Sequence, residues 1–212
     1  MPGRTLYLVR HAETLWNRSG RYQGQTDVPL SEEGYRQARL LASRLARRAG
    51  REPFDALWSS DLLRARQTAA VLGEALGLAV RVHPGLREMD FGAWEGLTQA
   101  EIERSFPESL EAYRRDPVHA RPPGGECFAE VVERVGAAFA DILGEEWRRA
   151  VVVAHGASLK GWLGTLFGWD PARRRRLLMA NTGLTIVKLQ GEQARLVTYN
   201  DASHLEGAGE EG

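Results

Sequence analysis

Only one cysteine, Cys127, occurs in the 212 residues, so no intramolecular disulfide can form and an oxidising compartment is not implied. No motif around Cys127 points to a cysteine nucleophile. Lysine is nearly missing: Lys160 and Lys188 stand alone, arginine fills the other basic positions, and biased codon usage accounts for that. No apolar run approaches the length of a membrane span, so no membrane partner is expected. Leu6-Tyr7-Leu8-Val9 is too short for a signal peptide and lacks its flanks, so the location expected is cytoplasmic. Net charge of one sign is absent too, with 28 basic against 28 acidic residues. That argues against whole-molecule attraction to nucleic acid and leaves a local anion site open.

What is present is an ordinary globular composition, 43% hydrophobic and 26% charged. The length suits one sizeable core. Residues 1–205 are expected to form a single domain, and 206–212 a disordered acidic tail. Thr5–Val9 and Ala150–Ala154 are apolar runs without alternation, as in parallel strands covered on both faces. Shorter strands are expected at Ala56–Ser59 and Ala79–Val82, and a hairpin joins Leu184–Leu189 to Arg195–Tyr199. Helical patterns lie between. Ser31 caps one with Glu32 and Glu33 in its first turn, an Ala38, Leu41, Ala42, Leu45, Ala49 face, and Gly50 as the stop. Asp61 is expected to cap a second, with Ala65, Ala69, Leu72 and Leu76 on one face. A third lies within Glu126–Trp147, through Val131, Val135, Ala138, Phe139 and Ile142, and a fourth follows His155-Gly156. This alternation predicts an α/β three-layer sandwich with a mostly parallel central sheet and helices on both faces. Phe91–Gly125, richer in Gly, Pro and charge, reads as an excursion over the sheet.

Arg10-His11 and His155 end the two best strands, and open α/β sheets bind ligands beyond their carboxyl ends. Arg64 falls in the first turn of the second helix, where free N–H groups favour an anion. Two arginines, two histidines and a helix start describe a pocket for a phosphate dianion. Neighbouring arginines keep an imidazole neutral and nucleophilic, and they neutralise charge on a transferring phosphoryl group. The leaving alkoxide needs a proton, and Glu88 is the best-placed candidate acid if burial holds it protonated. Each residue alone is more often structural or incidental than catalytic; the combination carries the signal.

Leu8-Val9-Arg10-His11-Ala12-Glu13-Thr14, Asn17 and Gly24–Ser31 closely resemble the start of the histidine phosphatase superfamily, the phosphoglycerate mutase-like family. So do Ser59–Ala69, Leu86-Arg87-Glu88 with Phe91–Gly96, and Val153-Ala154-His155-Gly156, in order from Leu6 to about Gly156. The resemblance implies that His11 is phosphorylated, that Arg10, Arg64 and His155 hold the phosphate, and that Glu88 donates the proton and later activates water. It assigns Asn17 to the phosphate and Gln23, Gly24 and Gly156 to the substrate side, with no metal and no cofactor. Ala12 departs from the commoner glycine.

Mutases of this family usually carry Glu-Arg-His-Tyr-Gly at the acid block; here it reads Glu88-Met89-Asp90-Phe91-Gly92. Met89 and Phe91 cannot grip a substrate carboxylate, and the basic, proline-rich stretch after this block is short, around Arg114-Arg115-Asp116-Pro117 and Arg121–Glu126. The expectation is therefore a phosphatase acting on small phosphomonoesters. A phosphoglycerate mutase is the first alternative. An α-ribazole phosphatase is the second, which Tyr22–Asp27 also resembles. A non-enzymatic binding role is disfavoured because each catalytic position is filled. Trp16, Tyr22, Phe91 and Trp94 are candidates for an apolar wall. Arg173–Arg176 reads as the solvated face of a short helix rather than a nucleic-acid site, and His83, His119 and His204 as surface residues. Homodimers are common in the family, although nothing in the sequence marks an interface.

Overall fold

A computed structural model describes residues 3–191 and 193–206, the side chains of 174 and 175 aside; the expected tail beyond Glu206 lies outside the described residues. Among these residues six strands form one sheet: β1 (Arg4–Arg10), β2 (Ala56–Ser59), β3 (Val80–Val82), β4 (Arg149–Ala154), β5 (Leu184–Gln190) and β6 (Gln193–Asp201). Their order is β3-β2-β4-β1-β5-β6. β1 pairs in parallel with β4, β4 with β2 and β2 with β3, whereas β5 runs antiparallel to β1 and β6 to β5.

Among the described residues there are seven α-helices: α1 (Leu15–Arg18), α2 (Glu32–Ala49), α3 (Leu63–Leu76), α4 (Gln99–Ser105), α5 (Pro107–Arg115), α6 (Phe128–Gly144) and α7 (Gly156–Phe167). Successive strand residues point to opposite faces, and both faces are buried. Leu6, Leu8, Ala150, Val152 and Ala154 pack with Val135, Phe139, Leu159 and Leu163 of α6 and α7. Tyr7, Val9, Val151 and Val153 pack with Leu41, Leu45, Ala65, Ala69 and Leu72 of α2 and α3. This is the expected three-layer arrangement, and it explains why the strand sequences show no alternation.

Several local expectations need correction. Asp61 does not cap α3. Its carboxylate takes Arg87 instead, with Nη2 at 2.6 Å and Nε at 2.8 Å, and such charge-assisted pairs outweigh a single backbone cap. The cap comes from a remote loop, where the Asp27 carboxylate accepts the Leu63 N–H at 2.8 Å. The helix expected within Glu126–Trp147 is there as α6; Glu130 accepts the Cys127 N–H ahead of it, and the Trp147 Nε1–H donates back to the Ile142 carbonyl. The excursion from 91 to 125 carries α4 and α5 around its own small core, in which Trp94 is fully buried with Met89, Ile102, Leu110, Tyr113, Phe128 and Val131. Trp94 is thus a core residue, and Trp16 lies against Gly96, where a Cβ would come within 3.2 Å of its ring. Only Tyr22 and Phe91 of the four expected aromatics line the cavity described below. His204 is half-buried rather than superficial, with Nε2 2.9 Å from Thr182 Oγ1. Arg173 is exposed and pairs with Asp170 at 3.0 Å, as a solvated face would. Among the described residues no helix is long and apolar enough to cross a membrane.

Candidate active site

Parallel pairing of β1 with β4 sets Arg10 opposite Ala154, and the His11 N–H continues the ladder to the Ala154 carbonyl at 2.9 Å. The next residue on each strand is a histidine, and the rings of His11 and His155 lie 5.1 Å apart. The register alone therefore brings together two residues 144 positions apart in sequence. Both rings are buried. Nδ1 of His11 is 2.7 Å from the Ala12 carbonyl. A carbonyl can only accept, so Nδ1 carries the proton and the Nε2 lone pair stays available. Burial, reinforced by Arg64 and Arg10, holds the His11 pKa well below the usual histidine value. His155 is held well below it too, by burial first and then by Arg64, His11, Arg10 and Arg134.

Arg64 is fully buried, a costly placement for a charge. Its Nη2 donates to the Gly24 carbonyl at 2.6 Å and its Nη1 to the Thr26 carbonyl at 2.9 Å. Burial lowers its pKa to about 10, so it stays a cation at neutral pH. Arg10 is anchored by Nη1 on the Met179 carbonyl at 2.5 Å. Arg10 Nε, Arg64 Nε and both nitrogens of His155 are buried and meet no hydrogen-bond partner among the described residues. Buried donors are ordinarily paired, so this cluster is built to receive acceptor oxygens. The start of α3 does not add to it, because Asp27 already occupies that N-terminus.

Glu88 sits at the start of α7. Its Oε1 accepts N–H bonds from Met89 at 2.9 Å and Ala157 at 3.0 Å. A Cβ on Gly156 would lie 3.7 Å from the carboxylate, so the expected Gly156 borders the acid. Asn17, Gln23 and Gly24 come to the same region by a shared network. Thr14 Oγ1 donates to Gln23 Oε1 at 2.9 Å, and Asn17 Oδ1 accepts the Thr14 N–H at 3.1 Å. Gly24 has φ +52°, and a Cβ there would fall 1.7 Å from Glu95 Oε1, so only glycine fits.

Five residues of the site's surroundings were not foreseen from the sequence. Asn181 Nδ2 donates to the His11 carbonyl at 2.9 Å and lies 3.3 Å from Asn17 Oδ1. Thr182, next to it, has φ +56°, unusual for a β-branched residue, and its N–H donates to the Arg10 carbonyl. Glu95 accepts the Gln25 and Thr26 N–H groups, which ties the 24–26 loop to the excursion. Arg134 donates to the carbonyls of Gly85, Arg87 and Glu88, which fixes the segment that presents the acid. Lys160 lines the cavity discussed below. Asn181-Thr182-Gly183 does read as a turn, but nothing in sequence says what that turn touches.

Beside Arg10 and Glu88 opens a cavity of about 410 Å³, lined also by Tyr22, Met89, Phe91, Leu110 and Tyr113. A buried cationic cluster with an unprotonated imidazole nitrogen, a carboxyl group and an adjacent cavity can bind a phosphate ester and exchange its phosphoryl group. The family model of the histidine phosphatase superfamily (branch 1) matches residues 6–202. The chain belongs to that superfamily. It is 33% identical over 201 residues to phosphoserine phosphatase 1 of Hydrogenobacter thermophilus, covering 94% of this chain and 93% of the relative. It is 38% identical over 190 residues to a probable phosphoglycerate mutase of Yersinia pestis, covering 87% and 85%. Among solved structures, a mycobacterial glucosyl-3-phosphoglycerate phosphatase in complex with VO3 superposes with a TM-score of 0.81 at 36% identity, covering 93% of this chain and 99% of that one.

Proposed function

We propose that this protein hydrolyses small phosphomonoesters through a phosphohistidine formed on His11. Membership of the histidine phosphatase superfamily and its phosphatase-named relatives support a phosphoric monoester hydrolase. The observation that carries the mechanism is the buried, unpartnered cluster of Arg10 Nε, Arg64 Nε and the His155 ring beside the deprotonated side of His11. The phosphate oxygens take these donors, with Asn17 at the edge. Nε2 of His11 attacks phosphorus in line; the P–N bond forms as the P–O ester bond breaks. Glu88 gives its proton to the departing oxygen. Water then attacks phosphorus, Glu88 takes its proton, the P–N bond breaks and inorganic phosphate leaves. The Ala12 carbonyl keeps the Nδ1 proton in place throughout, so the ring does not turn. Gln23, Gly24 and Gly156 border the leaving group.

Water as acceptor, rather than a second substrate oxygen, is supported by the acid block. Met89 is buried and Phe91 is apolar, so that block offers no cation to hold a sugar acid for return transfer. Mixing the protein with an aryl phosphate and quenching in alkali should trap an acid-labile phosphate on His11, located by mass spectrometry. Turnover of the aryl ester by His11→Ala would sink the mechanism. Rapid conversion of 3-phosphoglycerate to 2-phosphoglycerate with a bisphosphate primer would instead make the protein a mutase.

A further inference from the structure

We propose that His204 is a positioning residue for His11: through Thr182 it locks the turn that holds the two peptide groups on either side of the nucleophile. The kinetic consequences rest on the phosphohistidine reading.

A nucleophilic His11 must aim Nε2 at phosphorus, and its ring follows the backbone, because Nδ1 donates to the Ala12 carbonyl. Two peptide groups fix that backbone, and each is gripped at both ends. In the Arg10–His11 peptide the His11 N–H donates to the Ala154 carbonyl at 2.9 Å, and the Arg10 carbonyl accepts the Thr182 N–H at 3.0 Å. In the His11–Ala12 peptide the Ala12 N–H donates to Thr68 Oγ1 at 3.0 Å, and the His11 carbonyl accepts Asn181 Nδ2 at 2.9 Å. The partners of the two N–H groups sit on β4 and α3, which are regular elements. The partners of the two carbonyls are Asn181 and Thr182, consecutive residues of a turn. A turn is the least constrained of these supports, so its own anchoring matters most.

Thr182 is that anchor. It is fully buried at φ +56°, a region that a β-branched residue holds only where its surroundings over-determine it. Its Oγ1 lies 2.7 Å from the Asn181 carbonyl and 2.9 Å from His204 Nε2. A carbonyl can only accept, so the hydroxyl hydrogen goes to Asn181 and the oxygen accepts from His204 Nε2–H. His204 is therefore the Nε2–H tautomer, and its buried Nδ1 meets no partner among the described residues. The segment that carries His204 is fastened in turn. Arg44 of α2 pairs with Asp201 and donates to Ser203 Oγ at 3.1 Å. Asn200 accepts the Ala180 N–H on Oδ1 at 2.7 Å. Residues 200 and 204 thus clamp the turn at 180 and 182, and the turn clamps the backbone of the nucleophile.

The test is a matched pair of variants. Glutamine can place an amide N–H where Nε2 stood, whereas asparagine is too short to reach Thr182. His204→Asn should lower kcat by about tenfold to 10²-fold, the scale of a small displacement of a reacting group, with KM within about twofold. His204→Gln should stay within about threefold of the wild-type kcat. Equal turnover by the two variants, or a loss seen in KM alone, overturns the proposal. Thr182→Val removes the hydroxyl and keeps the branched shape. Added to His204→Asn, it should lose no more than the worse single variant; losses that multiply overturn the route through Thr182. Nitrogen-detected NMR reads the positioning without turnover. His204 should carry its proton on Nε2 at neutral pH, and His204→Asn should turn the single Nδ1–H signature of His11 into a mixture of tautomers. A role in stability alone would leave that signature intact, so an unchanged His11 signal overturns the proposal, as does an Nδ1–H form of His204. If aryl phosphate turnover survives His11→Ala, the phosphohistidine reading fails instead, and the NMR outcome is independent of it.

Discussion

The two ends of the site are built differently. The phosphate end hangs on the central strands: Arg10, His11 and His155 follow β1 and β4, and Arg64 opens α3 just beyond β2. Its polar atoms are buried and its backbone is held by sheet pairing. The leaving-group end is assembled from the excursion and from helix flanks: Tyr22, Phe91, Leu110, Tyr113, Arg114 and Lys160. Tyr22, Phe91, Leu110 and Tyr113 belong to a small separate core around Trp94, and several of the six stand partly open to solvent. The difference separates chemistry from choice. In the proposed reaction a rigid strand end holds the reacting atoms, and a less constrained flank decides what is attached to the phosphate.

That division can be broken at either end. The largest effect belongs to the proposed nucleophile: His11→Asn should lower kcat by at least about 10⁴-fold for every phosphomonoester, read by steady-state phosphate release. Substrate-dependent loss would mean that chemistry and choice are not separate. Arg64→Gln comes next, at about 10²–10³-fold, again uniform across substrates. It also frees the Gly24 and Thr26 carbonyls, so the melting temperature should fall as well. At the other end, Phe91→Ala should reorder a substrate panel by roughly tenfold, the scale of side-chain complementarity in a pocket, while burst phosphorylation of His11 persists. A uniform collapse of activity would put Phe91 with the chemistry.

The smallest expected effect is a pH response at the phosphate end. Buried His11 and His155 have pKa values below those of the unfolded chain, so the unfolded state binds protons first as pH falls. Their contribution to stability is full above about pH 6.5 and is lost as pH drops through the folded values. His204 acts in the same direction, with burial, then Arg44, lowering it to about 4 and Asp201 opposing. Nitrogen-detected NMR of labelled histidine should show His11 as the neutral Nδ1–H form at pH 6. A charged His11 ring at that pH would contradict the site geometry.

Much of this was legible without coordinates. Unalternating apolar runs at Thr5–Val9 and Ala150–Ala154 meant buried parallel strands, and the residues at their ends marked where a candidate site would lie. The helix faces through Leu41, Leu72 and Phe139 followed from 3.6-residue periodicity. Capping was less legible. Asp61 has the right type at the right place, yet Arg87 takes it and Asp27 caps α3 from 36 residues away. Local rules cannot see a partner that arrives through the fold. Asn181, Glu95 and Arg134 escaped for the same reason: each acts on a backbone group distant in sequence. Trp94 stayed open between wall and core, because an aromatic near a site motif fits both equally well until packing is known.

The sequence by itself determined the layers, the strands that carry the site and the residue types able to move a phosphoryl group. Those depend on periodicity and side-chain chemistry, which are local properties. The tertiary structure decided which His11 nitrogen is free, which buried donors lack partners among the described residues, and that Tyr22, Phe91 and Leu110 line one cavity with Glu88. Those depend on distances between segments set by sheet register and helix packing, and such distances are not local to any stretch of the chain.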